Sequence, residues 1–172
     1  LGAMLEFALA QFALSKLAKH GFTPVITPNV ANEHSVVGCG FQARSDKERQ
    51  IYHLEGEDLD MIGTAEITLV GQHQDETFNV SDLPLKYAGY SYCYRYEKGS
   101  YGRDVRGIIR VHEFRKIEMV VFCLPEESDA IHEKLREIEE EIWADLEVPY
   151  QLIKMATGDL GNAASRKYDI EA

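Results

Sequence analysis

Leu5, Ala8, Leu9, Phe12, Ala13 and Leu17 recur at the spacing of one helix face, and Gly21 follows where a helix end needs a residue free to take positive φ. The pattern predicts a helix from Ala3 to His20. Met4, Phe7, Leu14 and Ala18 make a second side apolar, which predicts burial on two faces, one against the protein's own sheet and one against a partner subunit. Phe22 to Thr27 is a β-rich run closed by Pro28, which has no amide proton to give to a ladder. Asn29 to Gln50 is polar, carries Gly38 and Gly40 around Cys39, and reads as a mobile loop.

Short strands are expected at Tyr52 to Leu54 and Met61 to Ile67, and a helix at Val70 to Phe78. Alternation is clearer from Leu85 to Glu97. Tyr90, Tyr92, Tyr94 and Tyr96 share one face, and Ser91, Cys93, Arg95 and Glu97 the other. Lys98 to Gly107 is glycine-rich and charged and reads as an exposed hairpin loop. Ile108 to Leu124 is a long strand on which Arg110, His112, Phe114, Lys116 and Glu118 project together, with Val111, Ile117, Met119 and Val121 opposite. Pro125 opens a helix with the stripe Ile131, Leu135, Ile138, Ile142 and Leu146, and Lys167 to Ala172 is the last strand candidate. Strands adjacent in sequence, with helices set apart, predict the α+β class: a mainly antiparallel sheet flanked by helices.

A chain of 172 residues with 45% apolar and 27% charged residues fits one folded domain and excludes disordered or disulfide-dense classes. The net charge of −11 argues against a protein that coats nucleic acid nonspecifically. That acidity is local. Glu126 to Glu147 holds ten acids against Lys134 and Arg136, whereas Arg95 to Lys116 holds seven bases against three acids. Cys39, Cys93 and Cys123 are odd in number and lack CxxC spacing, so they make neither a disulfide framework nor a zinc quartet, and a reducing compartment is expected. No basic leader and no run of about 18 apolar residues is present, which gives no support to secretion or membrane spanning.

Neither GxxxxGK[ST] nor GxGxxG occurs, so a nucleotide would have to bind without a glycine loop. No histidine pair has metal-ligand spacing such as HExxH, and no metal site is expected within the chain. The face opposite the tyrosines gathers Arg95, Glu97, Arg110, Phe114 and Glu118 on neighbouring strands. Guanidinium forks suit phosphate oxygens, a carboxylate accepts from an exocyclic amine, and an aromatic face stacks a base. Residue types alone favour instead an ion-pair lattice on a solvated sheet face, with Phe114 in the core, since charge-rich faces are usually just solvated.

Those residues, taken in order, resemble motif 2 of the class II aminoacyl-tRNA synthetases, and among them the seryl-tRNA synthetase family. Tyr94-Arg95-Tyr96-Glu97 is similar to the family's aromatic-Arg-x-Glu strand, Gly102 to Gly107 to its loop, and Arg110 to Met119 to its return strand. Thr64-Ala65-Glu66 resembles the TxE motif of the serine enzymes. The opening helix, strand and Pro28 resemble motif 1, and Thr157 to Gly161 with Tyr168-Asp169-Ile170-Glu171 resembles the segment that follows motif 2. Tyr94, Tyr96 and Glu113 stand where phenylalanine, serine and glutamine are common, while the arginine, glutamate and phenylalanine functions survive.

The resemblance implies a class II synthetase fold, with residues 1–172 as a partial catalytic (aminoacylation) domain that lacks motif 3, the downstream acid-and-serine metal site and the N-terminal tRNA-binding arm. It implies ATP-dependent activation of serine to seryl-adenylate, with Mg²⁺, and transfer to the acceptor end of tRNA(Ser) by a cytoplasmic homodimer joined through the N-terminal helix and strand. Arg95 would contact the ATP α-phosphate and the serine carboxylate. Glu97 would accept from the adenine amine, Phe114 would stack on the ring, and Arg110 would complete the ATP site. Thr64, Glu66 and Glu118 would hold the serine amine and hydroxyl, and Lys98, Arg103 and Arg106 would touch the tRNA. Two other readings stay open: a synthetase-like ligase that charges a carrier protein with a small amino acid, and a noncatalytic relative acting as a binding subunit.

Overall fold

The computed structural model describes residues 1–41, 50–97, 108–161 and 163–172. The chain divides into two compact units, one of Leu1–Thr23, Phe78–Lys86 and Val121–Ala172, the other of Pro24–Thr77 and Tyr87–Val120.

In the first unit, helix α1 spans Gly2–Lys19. It ends as the glycine predicts: Gly21 takes φ +84, while Gly21 N donates to Ala18 O and Phe22 N to Leu17 O, both at 3.1 Å. This left-handed cap satisfies carbonyls the last turn leaves open. Helix α4, Ser128–Asp145, follows a short 3-10 turn at Pro125–Glu127. Leu17 and Ile138 are the buried residues of α1 and α4. Polar ties join the two helices, with Lys16 Nζ 2.6 Å from Asp145 Oδ2 and His20 Nε2 2.7 Å from Glu141 Oε2. Strands β6 (Gln151–Lys154) and β7 (Tyr168–Glu171) form an antiparallel pair. The sequence pattern foresaw β7 but not β6. Burial of α1 on two faces is not met within the chain: Met4, Leu5, Phe7 and Leu9 are exposed, and Leu17 alone is buried.

The second unit departs further from expectation. The polar stretch read as a loop contains strand β2 (Val30–Ala31) and helix α2 (Glu33–Gly38). Asn32 starts α2, its side-chain oxygen accepting from Ser35 N at 2.9 Å, and Val36 anchors it. Residues 42–49 of that expected loop lie outside the described residues. The expected strand Met61 to Ile67 shrinks to β3, Asp60–Met61, which pairs antiparallel with β2, and the run turns into helix α3, Glu66–Gly71. The helix thus begins and ends earlier than the expected Val70 to Phe78. Periodicity cannot separate a buried helical turn from a buried strand over so short an apolar run. Ile62 and Ile67 pack with Val36 and Ile51 in the core of this unit.

Strand β1 is Thr23–Ile26, β4 is Leu85–Tyr94 and β5 is Glu113–Phe122, ordered β1-β4-β5 in one sheet. Tyr92 meets Arg115, Arg95 meets His112 and Glu97 meets Arg110. Each rise along β4 matches an equal fall along the return segment, which fixes an antiparallel hairpin. The expected strand from Ile108 begins late, since Ile108 and Ile109 are exposed ahead of Glu113. The α+β class with antiparallel pairing holds, distributed over three sheets among the described residues.

Candidate active site

The site grows from the alternation along β4. Ser91 and Cys93 are buried on the face that continues into Arg95 and Glu97. A Cβ on Gly89 would stand 2.7 Å from Leu69 Cδ1 and 3.0 Å from Ala65 Cβ, so a residue without a side chain lets α3 lie directly on β4. The helix that carries Glu66 is held at the sheet by that close approach.

Arg95 is fixed at both ends. Its backbone N donates to His112 O at 3.0 Å, and its Nε donates to Gly63 O at 3.0 Å. Its guanidinium carbon lies 5.3 Å from the centroid of the Phe114 ring, within cation–π range, so the two side chains share one side of the sheet. Arg110 forms a hydrogen-bonded ion pair with Glu97. On the other face Arg115 packs on Tyr92, its guanidinium 4.4 Å from the ring centroid, as the alternation requires.

Gly63 leads directly to Thr64, where a second group of side chains meets. The Thr64 hydroxyl donates to Glu118 Oε2 at 2.7 Å and accepts from Glu66 N at 3.2 Å. Lys116 Nζ donates to Thr64 Oγ1 at 2.9 Å and pairs with Glu118. Burial holds the Glu66 carboxyl above the usual carboxylate range, the Glu118 charge adds to the shift, and Lys116 opposes it. Burial also pushes up the Cys93 thiol, opposed by its hydrogen bond with Ser91 and by the charges of Lys116 and Arg95.

The structure brings together Arg95 with Phe114, Glu97 with Arg110, and Thr64 with Glu66 and Glu118. Lys98, Arg103 and Arg106 lie outside the described residues. Sequence reasoning did not assign Lys116 to the site, although its parity with Phe114 and Glu118 was visible. It also missed His112, whose Nδ1 lies 2.9 Å from Tyr52 Oη and 3.2 Å from Arg95 O.

A basic side chain fixed above an aromatic ring, next to a cluster of two carboxylates, a hydroxyl and the Lys116 ammonium, suits an anionic nucleotide beside a small zwitterion. The chain belongs to the tRNA synthetase class II core domain family (G, H, P, S and T), which it matches over residues 50–172. It is 51% identical over 168 residues to the serine–tRNA ligase of Treponema denticola, an alignment that covers 98% of this chain and 40% of that protein. Among solved structures it is similar to the seryl-tRNA synthetase of Pyrococcus horikoshii complexed with ATP, with a TM-score of 0.91 and 46% identity over 98% of this chain and 37% of that one. It is also similar to the cytoplasmic serine–tRNA ligase of Naegleria fowleri in complex with AMP, with a TM-score of 0.87 and 34% identity over 96% of this chain and 39% of that one. The chain spans about 40% of the length of these relatives.

Proposed function

We propose that this chain carries the serine-activating site of an ATP-dependent serine–tRNA ligase. The observation that carries the reading is the Arg95–Phe114 pair, 5.3 Å from guanidinium to ring centre and joined through Gly63 to the Thr64–Glu118 hydrogen bond. Likeness to ATP- and AMP-bound relatives supports it.

Adenine stacks on Phe114, its amine donates to Glu97, and Arg110 completes the ATP site, paired with Glu97. Gly63 holds Arg95 by Nε, leaving the terminal amino groups to meet the α-phosphate and the serine carboxylate. The serine carboxylate oxygen attacks the α-phosphorus, the bond to the β-phosphate oxygen breaks, and pyrophosphate leaves. Transfer then forms an ester with a hydroxyl at the tRNA 3′ end and releases AMP. No side-chain nucleophile is needed, since positioning and charge stabilisation supply the rate. Mg²⁺ enters with the ATP phosphates, as part of the substrate. Among the described residues no cluster of three or more His, Cys, Asp or Glu side chains is placed to hold a metal ion.

Lys98, Arg103 and Arg106 are assigned to the acceptor end of tRNA(Ser). The exposed apolar side chains of α1 support a homodimer through α1 and β1. Three free thiols favour a reducing compartment, and the reading assigns the enzyme to the cytoplasm. Among the described residues no helix is long and apolar enough to cross a membrane. The reading is tested by ATP–pyrophosphate exchange in a full-length enzyme carrying this chain, with each amino acid in turn. Exchange that depends on serine supports it, and exchange driven by another amino acid, or by none, overturns it.

A further inference from the structure

We propose that Lys116 is a positioning residue that sets the amino-acid selectivity of this site: its ammonium claims Glu118 and Thr64, so that one carboxylate, Glu66, is left for one substrate ammonium. An amino acid whose side chain carries a second cation is thereby rejected. The inference rests on the reading of this site as the serine-activating pocket.

The groups that meet here are Glu66 on α3, Thr64 just before it, and Lys116 and Glu118 on β5, with Arg95 across Gly63. Two carboxylates would leave the pocket with an excess of negative charge that a diamine could neutralise at both ends. Lys116 supplies that second cation from the chain itself. It sits against the buried Thr64 hydroxyl and pairs with Glu118, and its side chain is only 31% exposed, so its charge is partly shielded from solvent. The two acids therefore serve different partners. Glu66, whose charge is disfavoured by burial and by Glu118, a cost only partly offset by Lys116, gains most from an ammonium brought by the substrate, and is the acceptor for the substrate amine. Glu118 already accepts from Thr64 and Lys116, and a carboxylate has further lone pairs with which to take a neutral hydroxyl. A side-chain ammonium in the place of that hydroxyl would face the ammonium of Lys116, and like charges brought together in a partly dry site repel strongly.

The discriminating probe is 2,3-diaminopropionate, which has the serine skeleton with an amine in place of the hydroxyl. In a full-length enzyme carrying this chain, kcat/KM for pyrophosphate exchange is measured with serine and with this analogue. The wild-type enzyme should favour serine by about a hundredfold or more, because the analogue's second ammonium would face that of Lys116 in a partly dry site. Lys116→Gln should narrow that ratio by about tenfold or more, chiefly through better use of the analogue, while Lys116→Arg, which keeps the charge, should hold it within about threefold. A purely structural role for Lys116 would lower both substrates together. ATP affinity and thermal melting of each variant are followed in parallel. Should Lys116→Gln fail to fold, the wild-type ratio and Lys116→Arg still decide: a wild-type ratio near one, or loss of selectivity in Lys116→Arg, overturns the proposal. Serine-dependent exchange with a ratio unmoved by Lys116→Gln overturns the selectivity role alone, whereas no serine-dependent exchange in the wild type overturns the serine reading and this inference with it.

Discussion

The Thr64 hydroxyl and Glu118 Oε2 stand 2.7 Å apart although 54 residues separate them in the chain. That contact joins the segment entering α3 to the return strand of the hairpin. It places a neutral donor, two carboxylates and a lysine within one small volume, and it is the geometric basis for assigning that volume to an amino acid.

Glu66→Ala should weaken serine use far more than ATP use. The Glu66 backbone nitrogen donates to Thr64 Oγ1, and its carboxyl lies within reach of the charges on Glu118 and Lys116. It is proposed to meet the substrate amine, and loss of a hydrogen bond to a charged group costs about 1.5–3 kcal/mol. The KM for serine should rise by about tenfold to a hundredfold, since each 1.4 kcal/mol is a factor of ten. Equal losses for serine and ATP in steady-state exchange would contradict the division of the site.

Phe114→Ala removes both the surface proposed for adenine and the ring beneath the Arg95 guanidinium. Stacking of a base on an aromatic side chain is worth about 1–3 kcal/mol, so the ATP constant should rise by about five- to a hundredfold with a smaller change for serine. An unchanged ATP constant, measured by exchange or calorimetry, would return Phe114 to a purely structural role.

Acidification should weaken serine binding earlier than an ordinary carboxylate would allow. Burial raises the folded-state pKa of Glu66, helped by Glu118, so protons compete with the substrate amine at a higher pH than usual. The stability sign follows from the same shift. A carboxyl whose folded pKa lies above its unfolded value binds protons more tightly when folded, so its ionised form costs stability above the folded pKa and that cost disappears as pH falls through it. Glu66→Gln should therefore raise the melting temperature at neutral pH while abolishing the acid limb of serine binding. A melting temperature that falls, or an acid limb that persists in the variant, would refute the assignment.

Like charges placed on exposed apolar side chains of both sides of α1, as in Phe7→Glu with Leu9→Glu, should give monomers in sedimentation experiments if those side chains meet a second copy. Met4, Leu5, Phe7 and Leu9 are all exposed there, and an apolar surface of this kind marks an interaction site. Leu17→Glu is the contrasting change. Leu17 is 1% exposed, so that variant should lose the fold rather than the partner. A dimer that survives the surface changes would remove α1 from the interface.

The hairpin was legible because its two-residue alternation runs for a full strand on each side, and the structure keeps Arg95, Phe114 and Glu118 on the face that parity assigns. Helices α2 and α3 were not. Each has six residues, too few for a helical period to show, and α2 is fixed by the side chain of Asn32, a residue type that marks loops as often as helix starts. The pairing of Thr64 with Glu118 had no local signal at all, since spacing cannot report a contact across the fold. Family resemblance brought those residues into view, but not Lys116, whose role depends on distances to both.

The dependence of the site on close packing gives a last test away from any ligand. Gly89 has no side chain where α3 crosses β4, and a Cβ there would meet Leu69 Cδ1 at 2.7 Å and Ala65 Cβ at 3.0 Å. Leu69 is 1% exposed and Ala65 fully buried, so neither can move aside without shifting α3. Gly89→Val adds two further methyl groups to that contact, and overpacking of this kind costs about 1–3 kcal/mol. The melting temperature should fall by several degrees, at about 2–4 °C per kcal/mol for a chain of this size. Because α3 opens with Glu66, the KM for serine should rise with it while ATP binding changes less. A variant that melts like the wild type and binds serine normally would show that α3 is not held at the sheet by this contact.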